Sequence, residues 1–515
     1  MRLNILIGGK AGQGINKVSQ IVSRVLNKLG YYTFNYRDYP SLIRGGHNFN
    51  ILSISNKKVG SYESKLDFII GLDEKTVELH KKELKKEGVI IGCNEFCDIG
   101  RNANIAQAGA LIKILGIENS ALIEEIKKEF GENKESMDAA ERGYKSKEAK
   151  FNLEKLKNKI EIMSGSQGIS DGAINSGINL YLAYPMTPAT AVMHELAAKE
   201  EKYGHIVFEA ENEISVANAG LGASFVGAKV MIGSSGGGFD LMTEALSFQG
   251  MAEIPLVVYL ASRPGPGTGV PTYSMQDDLE VALRGGHGEF PRVVIAPGDP
   301  IECIEKTNEA FYLSEKFNVL SIILSDKHLA ESEFSTDRKP NKVLDVKVTR
   351  KVPGEGIVKA TSYEHDKFGN TTESAQIAIE GTKRRIKTYE EIKKEVKRFQ
   401  MIKIYGNKNA KNLVIGWGST KTVILDALDA IDGSIETEKG KYKFLQVLYM
   451  KPMSDEIKKE IEKSNKVILV ENNVTGQLGR LIKEKTGIAI KNRILKYDTR
   501  PFTSDELKEE ILKAR

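Results

Sequence analysis

The stretch Leu256-Val257-Val258-Tyr259-Leu260-Ala261 runs, past Ser262, into Arg263-Pro264-Gly265-Pro266-Gly267-Thr268-Gly269-Val270-Pro271-Thr272. Six apolar residues in a row are short for a helix and fit a strand buried on both faces, as a parallel sheet requires. The stretch that follows is too dense in Gly and Pro for helix or central strand, so it is a loop with an imposed course. Its one full charge is Arg263. A planar guanidinium at the carboxyl end of a strand suits a two-pronged grip on a carboxylate, and a solvated Arg fits the same residues equally.

The neighbourhood repeats this texture. Val319–Leu324 is a second short run, apolar but for Ser321. The mostly apolar run Ile178–Ala183 leads into Tyr184-Pro185-Met186-Thr187-Pro188-Ala189-Thr190. Pro185 and Pro188 set the backbone direction at the strand end, and Pro188 suits the first turn of a helix with Thr187 as its cap. The other reading of Thr187 is a hydroxyl beside a helix N-terminus, aimed at a small anion. Glu209, Glu211 and Glu213 precede a helix of small residues over 214–226. Acids there either favour the helix dipole or include one carboxylate held at the packed edge with a raised proton affinity. Ser234-Ser235-Gly236-Gly237-Gly238 follows a strand ending at Ile232 and reads as a turn or as a loop that lets backbone approach a ligand. His287 and Glu289 either extend the same rim or sit on the surface.

Further out, the 515 residues fall into four pieces. Residues 1–160 open with the strand Leu3–Ile7, the loop Gly8-Gly9-Lys10-Ala11-Gly12-Gln13-Gly14 and a helix through Val18, Ile21, Val22, Val25 and Leu26. That loop is an anion site at a helix N-terminus or a tight turn; no Gly-Lys-Ser/Thr closes it as a phosphate loop. Arg44-Gly45-Gly46-His47 is a second candidate for phosphate or carboxylate, or a turn before the strand from Phe49. A charged helical tail is expected from Leu122 to Lys159. Residues 164–332 are the least charged piece. Residues 333–410 form a polar, basic connector with a charged helix at 389–399. Residues 411–515 return to α/β texture, with strands at Leu413–Trp417 and Val467–Glu471.

Composition limits the function. Lys and Arg number 74 against 69 Asp and Glu, a net charge of +5, too little to argue for nucleic acid. No stretch approaches the roughly 18 apolar residues of a membrane span. The start is too short for a signal peptide's apolar core, so a cytoplasmic location is expected. The three cysteines, Cys93, Cys97 and Cys303, exclude a disulfide scaffold and a cluster ligated by this chain's thiolates alone. No Ser/His/Asp order or Cys/His pair suggests a hydrolase, and Cys93 and Cys97 read as inert thiols.

Tyr184-Pro185-Met186-Thr187-Pro188 resembles the Tyr-Pro-Ile-Thr-Pro motif of 2-oxoacid:ferredoxin oxidoreductases, enzymes that use thiamine diphosphate and coenzyme A. The whole chain resembles their alpha subunit with a gamma domain fused at its N-terminus. The resemblance implies a multidomain α/β fold: a gamma-type α/β domain over 1–160, a thiamine-diphosphate-binding, pyrimidine-type parallel-sheet domain over 164–332, the basic connector over 333–410, and a transketolase C-terminal-like α/β domain over 411–515.

It also implies roles. Thr187 and Arg263 match positions that hold the 2-oxoacid carboxylate. Glu213 matches the glutamate on the cofactor's aminopyrimidine, where it favours the imino form that takes the thiamine C2 proton. Tyr184 and Pro185 fall at the cofactor. Gly12, Gly14 and Arg44 are candidate contacts for coenzyme A or phosphate. Met186 replaces isoleucine at similar volume. Gly265-Pro266-Gly267-Thr268-Gly269 lacks the serine of the usual Gly-Pro-Ser-Thr-Gly, which removes any role for that hydroxyl. A Gly-Asp-Gly motif for Mg2+ and diphosphate is missing, so the resemblance assigns metal, diphosphate and iron–sulfur clusters to a beta subunit and makes this chain half an active site. The implied reaction converts a 2-oxoacid, 2-oxoglutarate foremost, and coenzyme A to acyl-CoA and CO2, with ferredoxin taking the electrons. An indolepyruvate-type oxidoreductase and a non-catalytic nucleotide-binding assembly protein are the competing readings.

Overall fold

The computed structural model describes residues 1–40, 46–348, 350–358, 361–433 and 440–514. By compactness the chain divides into two units. One comprises Met1–Met163 with Ser332–Arg338 and Thr503–Leu507; the other comprises Ser164–Glu331, Lys339–Phe502 and Lys508–Arg515.

The first unit is built on a seven-stranded mixed sheet. Its opening strand, Arg2–Gly9, pairs parallel with Leu66–Gly71 on one side and antiparallel with Asn48–Ser55 on the other. Leu84–Ile91 continues the parallel side; Tyr32–Asp38 and then Glu333–Thr336 continue the antiparallel side. The helix Ile15–Lys28 buries Val18, Ile21, Val22, Val25 and Leu26 completely, the apolar stripe its spacing predicts. It ends at Gly30, whose φ of 85° lets the Gly30 and Tyr31 N–H groups reach back to Asn27 and Leu26 carbonyls.

The charged tail differs from expectation. Helices occupy Asn119–Phe130 and Lys134–Lys145, and no helix follows up to Lys159. Lys150 and Phe151 donate to the carbonyl of Ile114, Leu153 to that of Leu115, and Leu156 to that of Leu29. These acceptors lie at the C-terminal ends of two other helices, where carbonyls lack intrahelical partners. The tail satisfies its backbone by capping its neighbours.

The second unit holds two sheets. The larger has the order Tyr449–Lys451, Arg292–Ile295, Leu320–Asp326, Leu256–Ser262, Val230–Ser234, Leu180–Ala183, Ile206–Glu209. Its last six strands are parallel, so their carboxyl ends share one edge. Leu256–Ser262 is buried at every position, as its apolar run demands. Tyr449–Lys451 pairs antiparallel on the outside of Arg292–Ile295. The smaller sheet orders Ile402–Gly406, Tyr442–Val447, Asn412–Trp417, Lys466–Glu471 and Asn492–Leu495, with only the first strand antiparallel. One apolar core runs through both sheets, joining Val258, Leu260 and Ile322 to Ile415, Trp417 and Leu445. The connector's charged helix is longer than expected, Ala375–Glu395.

Polar joints also link these two sheets. Gln276 donates to the Trp417 carbonyl at 2.8 Å, accepts from the Asn472 N–H at 2.9 Å and gives its own N–H to the Asn472 carbonyl at 2.8 Å. The buried Lys421 is held by Asp299 and, at 2.5 Å, by Glu302. Among the described residues no helix is long and apolar enough to cross a membrane.

Candidate functional site

The carboxyl edge of the large sheet gathers the residues singled out in sequence. The strand Leu180–Ala183 delivers the exposed Tyr184 and Pro185, then the partly buried Thr187. The strand Leu256–Ser262 delivers Arg263, whose Nη1 donates to the Thr187 carbonyl at 2.9 Å. Arg263 and Thr187, 76 residues apart, are thus brought together. The Thr187–Pro188 and Gly265–Pro266 peptide bonds are cis. Thr187 does not cap the helix that follows. That helix runs Thr190–Ala197 with Ala189 at its cap, because a turn over 187–189 intervenes and the Thr190 N–H reaches the Met186 carbonyl.

The Arg263 guanidinium is half-buried, and its Nε is buried without a hydrogen-bond partner. Burial lowers its proton affinity, while the charges of Asp278 and Glu213 hold it up. A guanidinium tied by one nitrogen to the Thr187 carbonyl and unpaired at Nε suits an anion with two acceptor oxygens.

Glu213 is the first residue of the helix Glu213–Phe225, capped by Asn212, whose side chain accepts from the Ser215 N–H at 2.9 Å. With Asn212 doing the capping, the Glu213 carboxylate is released from that duty. It is 4% exposed and accepts no hydrogen bond among the described residues. A Cβ at Gly238 would sit 2.7 Å from Glu213 Oε1 and closer still to Ser234 Oγ, so the glycine there makes room for the carboxylate. The hydroxyls of Ser234 and Ser235 are buried without partners as well. A carboxylate in a largely buried residue with no donor of its own suits a ligand that supplies a hydrogen-bond partner.

Asp278 was not legible in the sequence. Burial pushes its carboxyl up to about 7, reinforced by Asp277 and Asp240 and opposed by Ser262 and Arg263. Its oxygens fill the space that a Gly236 side chain would occupy, at the start of the helix Gly236–Ala252. The available signal was an acid pair, Asp277-Asp278, in the least charged piece of the chain. His287 and Glu289 do not join this edge. They are exposed in the loop that leads into Arg292–Ile295, hence at the amino end of the parallel strands.

In the first unit, Gly14 takes φ 81° and caps the helix Ile15–Lys28, with Asn104 donating to the Gln13 carbonyl at 3.0 Å. The Lys10 N–H is taken by the Gln13 side chain at 2.6 Å. Gly12, at φ 92°, is exposed and faces open space. Arg44 lies outside the described residues. His47 bonds His80, Nε2 to Nε2, at 2.8 Å. The three cysteines are free thiols, Cys303 buried and Cys97 exposed. Among the described residues no three His, Cys, Asp or Glu side chains converge as a metal site.

Comparison with known proteins matches residues 171–400 to the family model "pyruvate flavodoxin/ferredoxin oxidoreductase, thiamine diP-bdg". Residues 4–99 match the model "pyruvate ferredoxin/flavodoxin oxidoreductase". The 2-oxoacid:ferredoxin oxidoreductase subunit alpha of Sulfolobus sp. is 30% identical, across 100% of this chain and 97% of that protein. The 2-oxoglutarate synthase subunit KorA of Archaeoglobus fulgidus is 38% identical over 34% of this chain and 51% of its own length. Among solved structures, the 2-oxoglutarate:ferredoxin oxidoreductase from Magnetococcus marinus, with 2-oxoglutarate, coenzyme A and succinyl-CoA bound, superposes with a TM-score of 0.88. It covers 99% of each chain at 25% identity.

Proposed function

This chain belongs to the 2-oxoacid:ferredoxin oxidoreductase family as an alpha subunit, and on that premise we propose that it contributes one half of an active site completed by a beta subunit. The reaction is oxidative decarboxylation of a 2-oxoacid, 2-oxoglutarate foremost, with coenzyme A, yielding acyl-CoA, CO2 and reduced ferredoxin. The observation that carries this reading is the buried, donor-less Glu213 carboxylate on the same sheet edge as the Arg263–Thr187 pair.

Thiamine diphosphate fits this edge because its aminopyrimidine ring nitrogen can share a proton with the Glu213 carboxyl, which has no hydrogen-bond partner among the described residues. When bound, it supplies the nucleophilic carbon and the electron sink for decarboxylation. Glu213 would hold a proton at the pyrimidine ring nitrogen. Tyr184 and Pro185 would help hold the ring. Arg263 and the Thr187 hydroxyl bind the 2-oxoacid carboxylate and fix the ketone's orientation, which converts binding energy into a reactive pose. Asp278, its carboxyl pushed up to about 7 by burial, is only partly ionised at neutral pH and so competes less with the substrate carboxylate for Arg263.

Mg2+, the diphosphate contacts and the iron–sulfur cluster belong, in this reading, to the beta subunit. The exposed Gly12 backbone is the candidate contact for coenzyme A or phosphate, and Arg44 stays a candidate on the resemblance alone; Gly14 serves the turn. Residues 1–160 act as a gamma-type domain, 164–332 as the pyrimidine-type domain, 333–410 as a connector and 411–515 as a transketolase C-terminal-like domain. Co-expression with the beta subunit, followed by CoA-dependent reduction of ferredoxin or a viologen dye across a panel of 2-oxoacids, tests the proposal. Highest turnover is expected on 2-oxoglutarate. Absence of turnover on every 2-oxoacid overturns it.

A further inference from the structure

The opposite edge of the large sheet, where its parallel strands begin, carries a second concentration of charge. Arg292 opens the strand Arg292–Ile295, and Lys451 closes the antiparallel strand Tyr449–Lys451, where it pairs with Val294. Arg292 lies two residues from Val294, so Arg292 and Lys451 are diagonal neighbours on one face.

Among the described residues neither cation makes an ion pair, although the charge of Glu484 reaches Lys451. Arg292 is 3% exposed; its one acceptor is the Ala282 carbonyl at a long 3.3 Å, and its Nε is buried without any. Its guanidinium carbon sits 4.4 Å from the Phe290 ring centroid. The partly buried Lys451 makes no hydrogen bond or ion pair among the described residues, and its Nζ lies 6.0 Å from the Tyr389 ring centroid. Burial, joined by the charges of Arg292, Lys485 and Arg284 and opposed by Glu484, pulls the Lys451 ammonium down to about 8. The nearby Glu484 is already engaged by Arg284 and, at 3.0 Å, by Lys485.

Other buried cations of this unit are treated differently. Lys421 has Asp299 and Glu302, Lys306 has Glu309 at 2.7 Å, and Arg350 has Glu315. Two adjacent cations without a counter-ion raise each other's energy, and burial compounds the effect.

We propose that Arg292 and Lys451 form a binding site for the phosphoryl group of a small anion, on the sheet edge remote from Glu213. A phosphate near neutral pH carries about −1.5 to −2 charge, which matches two unpaired cations. Arg292 offers its terminal Nη2, which is not among the buried unpartnered atoms, and Lys451 offers a point charge.

The test uses the full chain at constant ionic strength, with inorganic phosphate as probe and chloride and acetate as controls. Phosphate should raise the melting temperature by several degrees over both controls, and the increment should vanish in Lys451→Gln. In the wild-type chain, phosphate should slow acetylation of Lys451 by acetic anhydride at least five-fold, read by mass spectrometry against other lysines. Stronger protection by ADP than by phosphate at equal concentration assigns the phosphoryl group to a nucleotide; equal protection assigns free phosphate. Equal melting increments in wild type and Lys451→Gln, or Lys451 labelling that phosphate leaves unchanged, overturns the site. Turnover of Lys451→Gln with the beta subunit should stay within two-fold of wild type, so a failure here is separable from a failure of the Glu213 reading.

Discussion

Two places in this chain run strand, glycine loop, helix: Gly8–Gly14 in the first unit and Ser234–Gly238 in the second. In the first, the loop serves itself. Gln13 takes the Lys10 N–H, Gly14 caps the helix, and Asn104 ties the turn from outside. In the second, the glycines yield space to others. Gly238 makes room for the Glu213 carboxylate and Gly236 for that of Asp278, while Arg263 and Thr187 arrive from the neighbouring strands. The difference teaches that a glycine loop is equivocal alone, and that the polar groups it leaves without partners decide what it does.

The sharpest way to break this contrast is Glu213→Ala in the complex with the beta subunit. It should lower kcat by about 100-fold or more, the range for a lost proton-handling group. Retained turnover removes the distinction between the two loops. Asp278→Asn comes next. The folded-state carboxyl titrates at about 7, above the roughly 3.9 of an unfolded Asp. Between those values the folded state binds more protons, so ionising Asp278 lowers wild-type stability as pH rises from about 4 to about 7, and the loss levels off above that. Asn cannot ionise. Urea unfolding should therefore move in the variant's favour by a few kcal/mol between pH 4.5 and pH 8. A pH-independent difference would contradict the burial of Asp278.

Arg263→Ala should raise the 2-oxoacid KM about 10- to 100-fold, in line with ~1.5–3 kcal/mol for hydrogen bonds to a charged group, and leave the coenzyme A KM unchanged. Arg263→Lys should rescue it only in part, since an ammonium lacks the planar fork. The smallest effect belongs to the first loop. Gly14→Ala forces a side chain into φ 81° and toward Asn104, for a loss of about 1–2 kcal/mol in unfolding free energy. The 2-oxoacid KM should not move; a large kinetic effect would give this loop a share in the chemistry of the other.

Legibility in the sequence followed the same division. The strands read as Leu256–Ala261 and Val319–Leu324 were readable because strands buried on both faces favour short, mostly apolar runs; they run Leu256–Ser262 and Leu320–Asp326. Thr187, Glu213 and Arg263 were marked by residue type at strand and helix ends, and they do share one edge. The cap assigned to Thr187 failed because the turn after Pro188 starts the helix late, at Thr190. Asp278 was missed because its perturbation comes from burial against Gly236, and no local pattern encodes that contact. The tail beyond Lys145 looked helical because its composition is charged and helix-compatible; what competes is a set of carbonyls at other helix ends. Tyr449–Lys451 was unreadable as a strand, since three residues carry no periodicity and the partner is distant in sequence.

That short strand also bears on how the protein is made. Arg292–Ile295 is an edge of the large sheet until Tyr449–Lys451 covers it, and the cover leaves the ribosome about 150 residues later. At roughly 5–20 residues per second the nascent sheet waits on the order of 10–30 s with an open edge. Exposed edges invite pairing with other chains. In that interval, pairing of the open edge with another chain would compete with formation of the native sheet.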